Sequence, residues 1–356
     1  MPEPMPGPAT GSRTHRLRVV EVIAETGDAY SLVLQAPPES TGRFSYRPGQ
    51  FLTLKLPGAD GGAAARCYSL ASSPHTGEPL KVTVKRVAGG YGSNWVCDRV
   101  AVGDELEVLP PAGTFTPSDL DADLLLVAGG SGITPVLSIA KSALATGHGR
   151  VALLYANRDE SSVIFRDELR ELTEGHPDRL LVIHWLESLQ GLPAAHRLAA
   201  ALAPYAGREA FVCGPGPMMD AAEQCLRALG APGERIHRER FFSLSGDVFD
   251  VPAPAPAAGE CAPVEGGSTA DVELDGETHT VVWPSGIPLL DVLLAAGVEA
   301  PYSCREGACS ACTCRVVAGE VKMLRNDVLD DQDIGEGYVL ACQAVPLTDQ
   351  VGITYS

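Results

Sequence analysis

The sequence predicts a multidomain α+β protein, with an antiparallel β-barrel, a parallel α/β domain and a β-grasp domain following one another along the chain. Short β-branched or alternating apolar runs separated by turns occupy residues 16–112, as in an antiparallel barrel. Apolar strands alternate with helical stretches from about residue 121, which is typical of a parallel sheet. A hairpin, one helix and a cysteine-rich loop follow a Pro/Ala-rich segment near the C-terminus.

Length and composition narrow the class of protein. A chain of 356 residues with a hydrophobic fraction of 45% is typical of a globular protein with two or three domains. We find no apolar stretch of about 18 residues that would span a membrane, and no apolar core of a signal peptide at the start. Ten cysteines without an export signal favour a reducing compartment, so we expect a cytoplasmic protein. The net charge of −18 disfavours nucleic acid and anionic membranes as partners.

Changes in composition predict the domain boundaries. The stretch after residue 250 alternates proline with alanine, which gives a stiff, extended segment with little to bury. We expect a disordered leader over residues 1–14, the barrel over 15–117, the α/β domain over 118–245, a linker over 246–268 and the β-grasp domain over 269–356.

Hydrophobic periodicity predicts the individual elements. Strands in the barrel are expected at residues 15–25, 30–35, 51–56, 81–86 and 105–109, with a short helix from about Ser93. The α/β domain is expected to have strands at 124–128, 150–155, 180–185 and 210–213, with helices at 134–146, 162–173 and 217–229. The last domain is expected to have a hairpin of 270–274 with 277–283 across an Asp-Gly turn, a helix at 287–296, and strands near 313–318 and 351–355.

Four cysteines near the C-terminus predict an iron–sulfur site. Cys304, Cys309 and Cys312 read C-x4-C-x2-C, and Cys342 follows after 29 intervening residues. This is the plant-type spacing in which four thiolates hold a [2Fe–2S] cluster. Zinc, the alternative, usually pairs one C-x2-C with a second. The spacing leaves Cys314 without a ligand role, and we expect it to be a buried, inert thiol.

Two motifs in the barrel are suited to a flavin. Arg66, Tyr68 and Ser69 form an R-x-Y-S stretch that offers a cation, an aromatic wall and a hydroxyl donor on one strand. An Arg and a Tyr that alternate on a strand are otherwise a solvent-side pair. A glycine-rich turn over residues 85–95 contains Gly92 and Ser93 and opens a helix, whose free N–H groups suit a pyrophosphate. A simple helix cap is the alternative.

Two glycine turns in the α/β domain follow predicted strands, where open α/β sheets bind ligands. The first reads GGSGITP from Gly129, which is not the G-x-G-x-x-G fingerprint of dinucleotide-binding folds. The second is Cys213-Gly214-Pro215, in which a thiol at the strand tip can lie against a planar ring. A buried cysteine beside a rigid turn is the alternative.

The order of these motifs resembles the ferredoxin–NADP reductase superfamily, here followed by a plant-type ferredoxin domain. The resemblance covers nearly the whole chain past the leader and extends to oxygenase reductases that move electrons from a nicotinamide through flavin to a [2Fe–2S] centre. Within this class the chain is most similar to the reductase components of 3-ketosteroid 9α-hydroxylases, through residues 302–314 and the segments around 326–329 and 341–343. Reductase subunits of phenylacetyl-CoA epoxidases are a less close match.

The resemblance implies a role for each motif residue. The glycine-rich turn that contains Gly92 and Ser93 would bind the pyrophosphate and favours FAD over FMN. The residues that would bind the flavin are Arg66, Tyr68, Ser69, Lys85, Gly92, Ser93 and Phe241. The nicotinamide channel would be lined by Gly130, Thr134, Cys213, Gly214 and Pro215. Ser69 and Cys213 are the candidate catalytic residues. Asp159 or Glu160, after a strand, would accept from a ribose hydroxyl and favour NADH, whereas Arg158 could meet the 2′-phosphate of NADPH.

We therefore expect an oxidoreductase that passes electrons from NADH through FAD and a [2Fe–2S] cluster to a partner oxygenase, expected to be a Rieske-type 3-ketosteroid 9α-hydroxylase. The alternatives are a reductase of another oxygenase such as phenylacetyl-CoA epoxidase, a stand-alone NADH oxidase or diaphorase, and an apo docking module. Residues 271–356 carry 14 acidic and four basic side chains, a charge of −10. This charge fits either a solvated surface or a docking face.

Overall fold

The computed structural model describes residues 14–58, 61–241, 249, 267–274, 276–329 and 331–355. Residues 1–13 of the predicted leader and most of the predicted linker lie outside the described residues, as does Asp275 of the predicted hairpin turn. Three sheet-based domains follow one another in the predicted order, which confirms the fold class. In the part of the chain that the structure describes, no helix has both the length and the apolar character needed to cross a membrane.

The first domain is an antiparallel barrel of six strands in the order β4-β3-β6-β1-β2-β5. An antiparallel bridge between Leu70 and Val82 joins the two edge strands and closes the barrel around an apolar core. The strand β4 carries the R-x-Y-S motif, as the motif predicted, although the strands predicted from hydrophobic periodicity did not include it. The elements are β1 (His15–Thr26), β2 (Ala29–Gln35), β3 (Phe51–Pro57), β4 (Ala63–Ser69), β5 (Leu80–Lys85), α1 (Tyr91–Arg99) and β6 (Glu105–Ala112).

The second domain is a parallel sheet in the order β11-β10-β7-β8-β9. Every residue of the central strand β7 and of its neighbour β8 is buried, because helices cover both faces of the sheet. The elements are β7 (Leu124–Gly129), α2 (Ile133–Thr146), β8 (Val151–Asn157), α3 (Arg166–Gly175), β9 (Leu180–Leu186), α4 (Glu187–Gln190), α5 (Ala195–Leu202), β10 (Glu209–Cys213), α6 (Gly216–Ala228) and β11 (Ile236–Glu239).

The structure differs from the prediction for this domain in two places. The helix predicted over residues 162–173 is α3 and begins at Arg166, because Phe165 has a left-handed backbone with φ of 60°. The edge strand β11 was not predicted, because its four residues, IHRE, have no alternating apolar pattern.

The third domain is a mixed sheet in the order β13-β12-β18-β14-β16 that packs on one helix. The hairpin prediction is confirmed by the antiparallel register of Leu274 with Glu277. The predicted helix is shorter than expected, because Pro288 forms its N-cap. The elements are β12 (Ser268–Leu274), β13 (Glu277–Trp283), α7 (Leu289–Ala295), β14 (Thr313–Ala318), β15 (Val321–Met323), α8 (Asp331–Gly335), β16 (Tyr338–Leu340), β17 (Ala344–Pro346) and β18 (Gln350–Thr354).

A buried polar network fixes the barrel against the α/β domain. The ammonium group of Lys141 on α2, only 5% exposed, lies 2.8 Å from the Glu78 carboxylate and 2.9 Å from that of Glu168. Directly after R-x-Y-S, the Ser72 carbonyl accepts from Ser138 at 2.6 Å, and the Ser73 hydroxyl contacts a serine of α2 at 2.8 Å. Because buried charges and hydroxyls need partners, this network holds the R-x-Y-S strand at a set position relative to the first glycine turn.

Candidate functional site

The cysteine loop brings the sulfur atoms of the four predicted ligands together. Cys304, Cys312 and Cys342 are at most 5% exposed, and Cys309 is half-buried. The loop turns inward through left-handed backbone at Arg305, Gly307 and Ser310, with φ of 56°, 75° and 52°. This geometry directs backbone N–H groups at sulfur, as iron–sulfur loops require: those of Glu306 and Ala308 donate to Cys304 Sγ at 3.3 and 3.4 Å.

The chemistry of this donor set fits a [2Fe–2S] cluster. Hydrogen bonds from the thiols of Cys309 and Cys342 hold the pKa of Cys304 well below its usual range, and the same pairing raises the pKa values of Cys309 and Cys342. Cys342 also contacts Cys312, so the four sulfur atoms are linked in the order Cys309, Cys304, Cys342, Cys312. A cluster spreads four thiolates over two irons, which suits this arrangement.

The fifth cysteine of this region lies apart from that group. Cys314 is 2% exposed on β14, and burial raises its pKa well above the usual range of a thiol. The structure thus places Cys314 as the buried side chain that the spacing predicted.

The two flavin motifs of the barrel meet at the start of α1. A Cβ atom added to Gly92 would lie 3.4 Å from Arg66 Cγ, so the helix start packs directly on the R-x-Y-S strand. The helix begins after Gly90 without a side-chain cap, and Ser93 Oγ accepts from the Val87 N–H at 3.1 Å. Uncapped N–H groups beside a guanidinium are suited to phosphate oxygens. These residues fit the phosphate end of a flavin nucleotide.

The two glycine turns of the α/β domain pack backbone against backbone, because β7 and β10 are neighbours in the sheet. Gly130 has a left-handed φ of 52°. A Cβ atom on Gly132, which is absent from the predicted site residues, would lie 2.2 Å from the Cys213 carbonyl oxygen. Thr134 is buried and its hydroxyl donates to the Ser131 carbonyl at 3.0 Å, so it stabilises the turn.

A cleft of about 560 Å³ unites the predicted nucleotide residues of two domains. Phe241, 46% exposed, lines this cleft and also a larger one. An accessible aromatic ring at the junction of two clefts is suited to stacking on a planar ligand. The predicted residues that line the smaller cleft are Lys85, Gly130, Gly214, Pro215 and Phe241.

The larger cleft, of about 750 Å³, lies between the barrel strand β4 and the cysteine loop. Ser69 and Cys67 line it from β4, and Cys309 lines it from the loop. Ala65, Cys67 and Ser69 alternate along β4 with Arg66 and Tyr68, so the strand presents Arg66 and Tyr68 to the face opposite Ser69. The Ser69 end of the flavin site and the cluster loop therefore open into one cleft.

Glu239 is a site residue that the sequence reasoning missed. It ends the short strand β11, opposite Cys213 in the sheet register, and accepts a hydrogen bond from the Ser69 hydroxyl at 3.3 Å. Burial raises the pKa of Glu239 to about 8, although the side chain remains partly accessible through the larger cleft. Both residues proposed as catalytic thus neighbour Glu239, Ser69 through this hydrogen bond and Cys213 through the strand pairing. The E-R-F stretch that drew attention to Phe241 contained this signal.

Replacement of Glu239 by glutamine is expected to change the pH dependence of NADH oxidation. The raised pKa keeps the carboxyl neutral below about pH 8, and its ionisation above that pH places a negative charge in the cleft, which opposes delivery of electrons there. Wild-type stopped-flow rates with an uncharged acceptor should therefore fall as pH rises through about 8, and the Glu239→Gln profile should be flat there. The exposed Glu234, also in this cleft, gives the control Glu234→Gln; equal profiles in all three proteins would contradict this role.

Asp159 lies after β8, as predicted, but its carboxylate is engaged locally. Asp159 Oδ1 accepts from the Ser161 hydroxyl at 2.6 Å and from the Ser162 N–H at 3.1 Å, which caps a short 3-10 turn. The Ser161 hydrogen bond is the main cause of its lowered pKa. The carboxylate is thus held in its charged form beside Arg158.

Family models match all three domains. A model described as an oxidoreductase FAD-binding domain matches residues 16–116, and one described as an oxidoreductase NAD-binding domain matches 126–224. A model described as a 2Fe-2S iron-sulfur cluster binding domain matches 272–347. These matches confirm the predicted cofactor classes: a flavin, a nicotinamide nucleotide and a [2Fe–2S] cluster.

Curated relatives match nearly the full chain. The ferredoxin reductase component of 3-ketosteroid-9-alpha-monooxygenase from Rhodococcus rhodochrous is 56% identical over 345 residues, which cover 97% of this chain and 98% of the relative. The component of the same name from Mycobacterium tuberculosis is 55% identical, with 97% of each chain covered. A subunit of 1,2-phenylacetyl-CoA epoxidase from Escherichia coli is 35% identical over 96% of this chain and 97% of the relative.

Solved structures share the three-domain fold. Full-length CYP116B46 from Tepidiphilus thermophilus matches with a TM-score of 0.68 and 26% identity, over 99% of this chain and 44% of that one. Phthalate dioxygenase reductase, described as a modular structure for electron transfer from pyridine nucleotides to [2Fe–2S], matches with a TM-score of 0.57, 24% identity and coverage of 96% and 98%. At that identity the second match shows the fold alone.

The sequence, the site and the comparisons agree on one class of enzyme. The predicted superfamily, the order of domains and the oxidoreductase class are confirmed. The identity and coverage exceed what chance or a shared domain would give. The chain belongs to the family of oxygenase reductases with FAD-binding, NAD-binding and [2Fe–2S] domains that includes the ferredoxin reductase components of 3-ketosteroid-9-alpha-monooxygenases.

Proposed function

We propose that this chain takes electrons from NADH and delivers them, through FAD and a [2Fe–2S] cluster, to a terminal oxygenase of the Rieske type that hydroxylates 3-ketosteroids at the 9α position. The identity of 54–56% to four such reductase components over 97% of the chain supports this choice over phenylacetyl-CoA epoxidase, at 35%. A cytoplasmic location is part of the proposal, because ten cysteines suit a reducing compartment.

One observation carries the electron-transfer part of this proposal. The cleft lined by Ser69 and Glu239 is also lined by Ala308 and Cys309 of the cysteine loop. Electron transfer between two centres needs them close together, and a shared cleft supplies that closeness within one chain. A stand-alone oxidase would have no use for such an arrangement.

The residues of the site have two roles: some bind the phosphate groups of the flavin, and others place a hydroxyl and a carboxyl group in the cleft. When bound, FAD accepts hydride and releases electrons singly, and a [2Fe–2S] cluster carries one electron at a time. Arg66 and the uncapped start of α1 offer a cation and N–H groups to phosphate. Ser69 and Glu239 hold a hydroxyl and a carboxyl at the cleft wall, the latter neutral below about pH 8. Arg66, Ser69 and Glu239 thus fix the two ends of the flavin site.

A direct contact holds the cysteine loop against the barrel. The hydroxyls of Thr53 on β3 and Ser303 lie 2.6 Å apart, and both residues are 1% exposed. Cys67 packs beside them, with its sulfur 3.5 Å from Thr53 Oγ1, and burial raises its pKa to about 12. Ala65, Leu109 and Cys304 complete a small apolar cluster around this contact. The cysteine loop therefore packs against β4, the strand that carries R-x-Y-S.

Reconstitution with purified components tests the proposed function. The first mixture contains the full chain, NADH, a 3-ketosteroid and the oxygenase component of a 3-ketosteroid 9α-hydroxylase. The second contains the full chain, NADH, the oxygenase subunits of phenylacetyl-CoA epoxidase and their own substrate. NADH consumption coupled to 9α-hydroxylated product in the first mixture alone is the expected result. Product only in the second mixture, or rapid dye reduction with product in neither, would overturn the assignment of the partner.

We expect electron delivery to the oxygenase to slow as salt is added. Exposed acidic side chains cover the ferredoxin domain, and added salt screens their attraction to a basic partner surface, with a Debye length of about 10 Å at 0.1 M. Stopped-flow reduction of the oxygenase from 0.05 to 0.5 M salt should fall about tenfold, while reduction of an uncharged dye changes less than about twofold. A rate of oxygenase reduction that does not change with salt would contradict a docking role for these acidic side chains. The exposed residues are Asp271, Glu273, Glu277, Glu299, Glu320, Glu336 and Asp349.

A further inference from the structure

Arg158 occupies the position in the α/β domain that decides between the two nicotinamide nucleotides. It directly follows β8, which lies beside the strand that ends in the first glycine turn. In folds of this kind, an acidic residue near the end of this strand accepts from the ribose 2′-OH of NADH, and an arginine there meets the 2′-phosphate of NADPH. The sequence alone therefore favoured NADH through Asp159 or Glu160 and kept NADPH open through Arg158.

The structure shows that this guanidinium already has an anionic partner from another domain. Arg158 Nη2 lies 2.9 Å from Oδ2 of Asp28, which stands between β1 and β2 of the barrel. The other oxygen of Asp28 accepts from the Thr26 hydroxyl at 2.8 Å, which fixes the direction of the carboxylate. Asp28 is 130 residues from Arg158 in sequence, so no local motif could indicate the pair.

The same carboxylate also faces the nucleotide cleft. Asp28 Oδ2 lies 3.8 Å from Lys85 Nζ, and Lys85 lines the smaller cleft beside Gly130. Asp159, next in sequence to Arg158, adds a second carboxylate near Lys85. The two cations, Lys85 and Arg158, are therefore balanced by the two anions, Asp28 and Asp159. The Arg158 side chain is 65% exposed, so a phosphate dianion entering here would compete with Asp28 for the guanidinium and would be repelled by both carboxylates.

We propose that Asp28 is a specificity-determining residue, whose carboxylate occupies Arg158 and thereby excludes the 2′-phosphate of NADPH. The ribose 2′-OH of NADH carries no charge, so it does not compete with Asp28. This inference rests on the proposed use of NADH. It assigns the preference to a carboxylate of the flavin domain, beyond Asp159 of the α/β domain.

The test measures nucleotide binding to the purified holoprotein by calorimetry, with 2′,5′-ADP and ADP as probes. Asp28→Asn keeps an oxygen for the Thr26 hydroxyl while removing the charge. It should bind 2′,5′-ADP about tenfold more tightly than wild type, with ADP affinity within about twofold. kcat/KM for NADPH should rise in parallel, and the double variant D28N/R158M should lose the gain, because the freed guanidinium is its source.

Asp123→Asn provides the matched control. Asp123 also pairs with an arginine, Arg208, at 3.3 Å, but directly precedes β7, at the end of that strand opposite the first glycine turn. It should leave both affinities unchanged. The inference is overturned when Asp28→Asn binds 2′,5′-ADP as wild type does, or when the double variant keeps the gain. If the inference fails while the wild-type protein still binds ADP and oxidises NADH, the proposed function stands. A wild-type protein that neither binds ADP nor oxidises NADH would refute the proposed function itself.

Discussion

Replacing Cys312 with serine is expected to remove the iron–sulfur cluster, while the same change at Cys314 is expected to retain it. Both side chains are 2% exposed, so any general cost of changing a buried thiol is shared. Only Cys312 has the ligand spacing and the contact with Cys342. Iron should fall from about two atoms per chain to near zero in Cys312→Ser alone.

The two variants also separate the steps of electron flow. In Cys312→Ser, reduction of the partner oxygenase should fall by roughly 100-fold or more, because the one-electron carrier is missing. NADH reduction of a dye that takes electrons at the flavin should change less than about twofold, because its site residues are intact. Equal iron loss in both variants would mean that the third ligand is misassigned.

Replacing Gly132 with alanine is expected to disrupt the nucleotide site and the α/β domain around it. The added Cβ would lie 2.2 Å from the Cys213 carbonyl oxygen, 2.4 Å from its carbon and 2.7 Å from the Gly214 nitrogen. These are backbone atoms and cannot rotate away, so the two turns must separate. We expect a loss of about 3 kcal/mol in the free energy of unfolding and of at least about tenfold in ADP affinity.

Thermal unfolding and calorimetry measure both effects. The transition of the α/β domain should shift down by roughly 5–10 °C. Gly175→Ala is the control, because nothing lies within 4 Å of its added Cβ at the end of α3, and its change should stay within about 0.5 kcal/mol. A Gly132→Ala protein as stable as this control would show that the turns can separate at little cost.

The features that the sequence predicted are those encoded locally. The cluster ligands within one loop, Cys304 to Cys312, follow from spacing, and the R-x-Y-S strand follows from the alternation of Arg66 and Tyr68. The Asp-Gly hairpin and the helix after the first glycine turn follow from residue preferences over a few positions. Such signals do not depend on how distant segments meet.

The features that the sequence could not predict depend on contacts between distant segments. Thr53 and Ser303 are 250 residues apart, and the Ser69–Glu239 hydrogen bond spans 170. The strand that carries Glu239 has four residues without periodicity, so it is stabilised as a strand by pairing with β10. The tight packing of Gly132, unlike the positive φ of Gly130, exists only because the ends of β7 and β10 lie side by side.

Anaerobic titration of the purified chain with NADH tests the central claim most directly, that one chain carries electrons from the nucleotide to the cluster. Visible absorption follows the flavin and the cluster together, and electron paramagnetic resonance reports the reduced cluster separately. We predict full reduction of both with about 1.5 NADH per chain, because the flavin takes two electrons and the cluster takes one. Bleaching of the flavin that stops at about one NADH, with the cluster still oxidised and its resonance absent, would contradict the account.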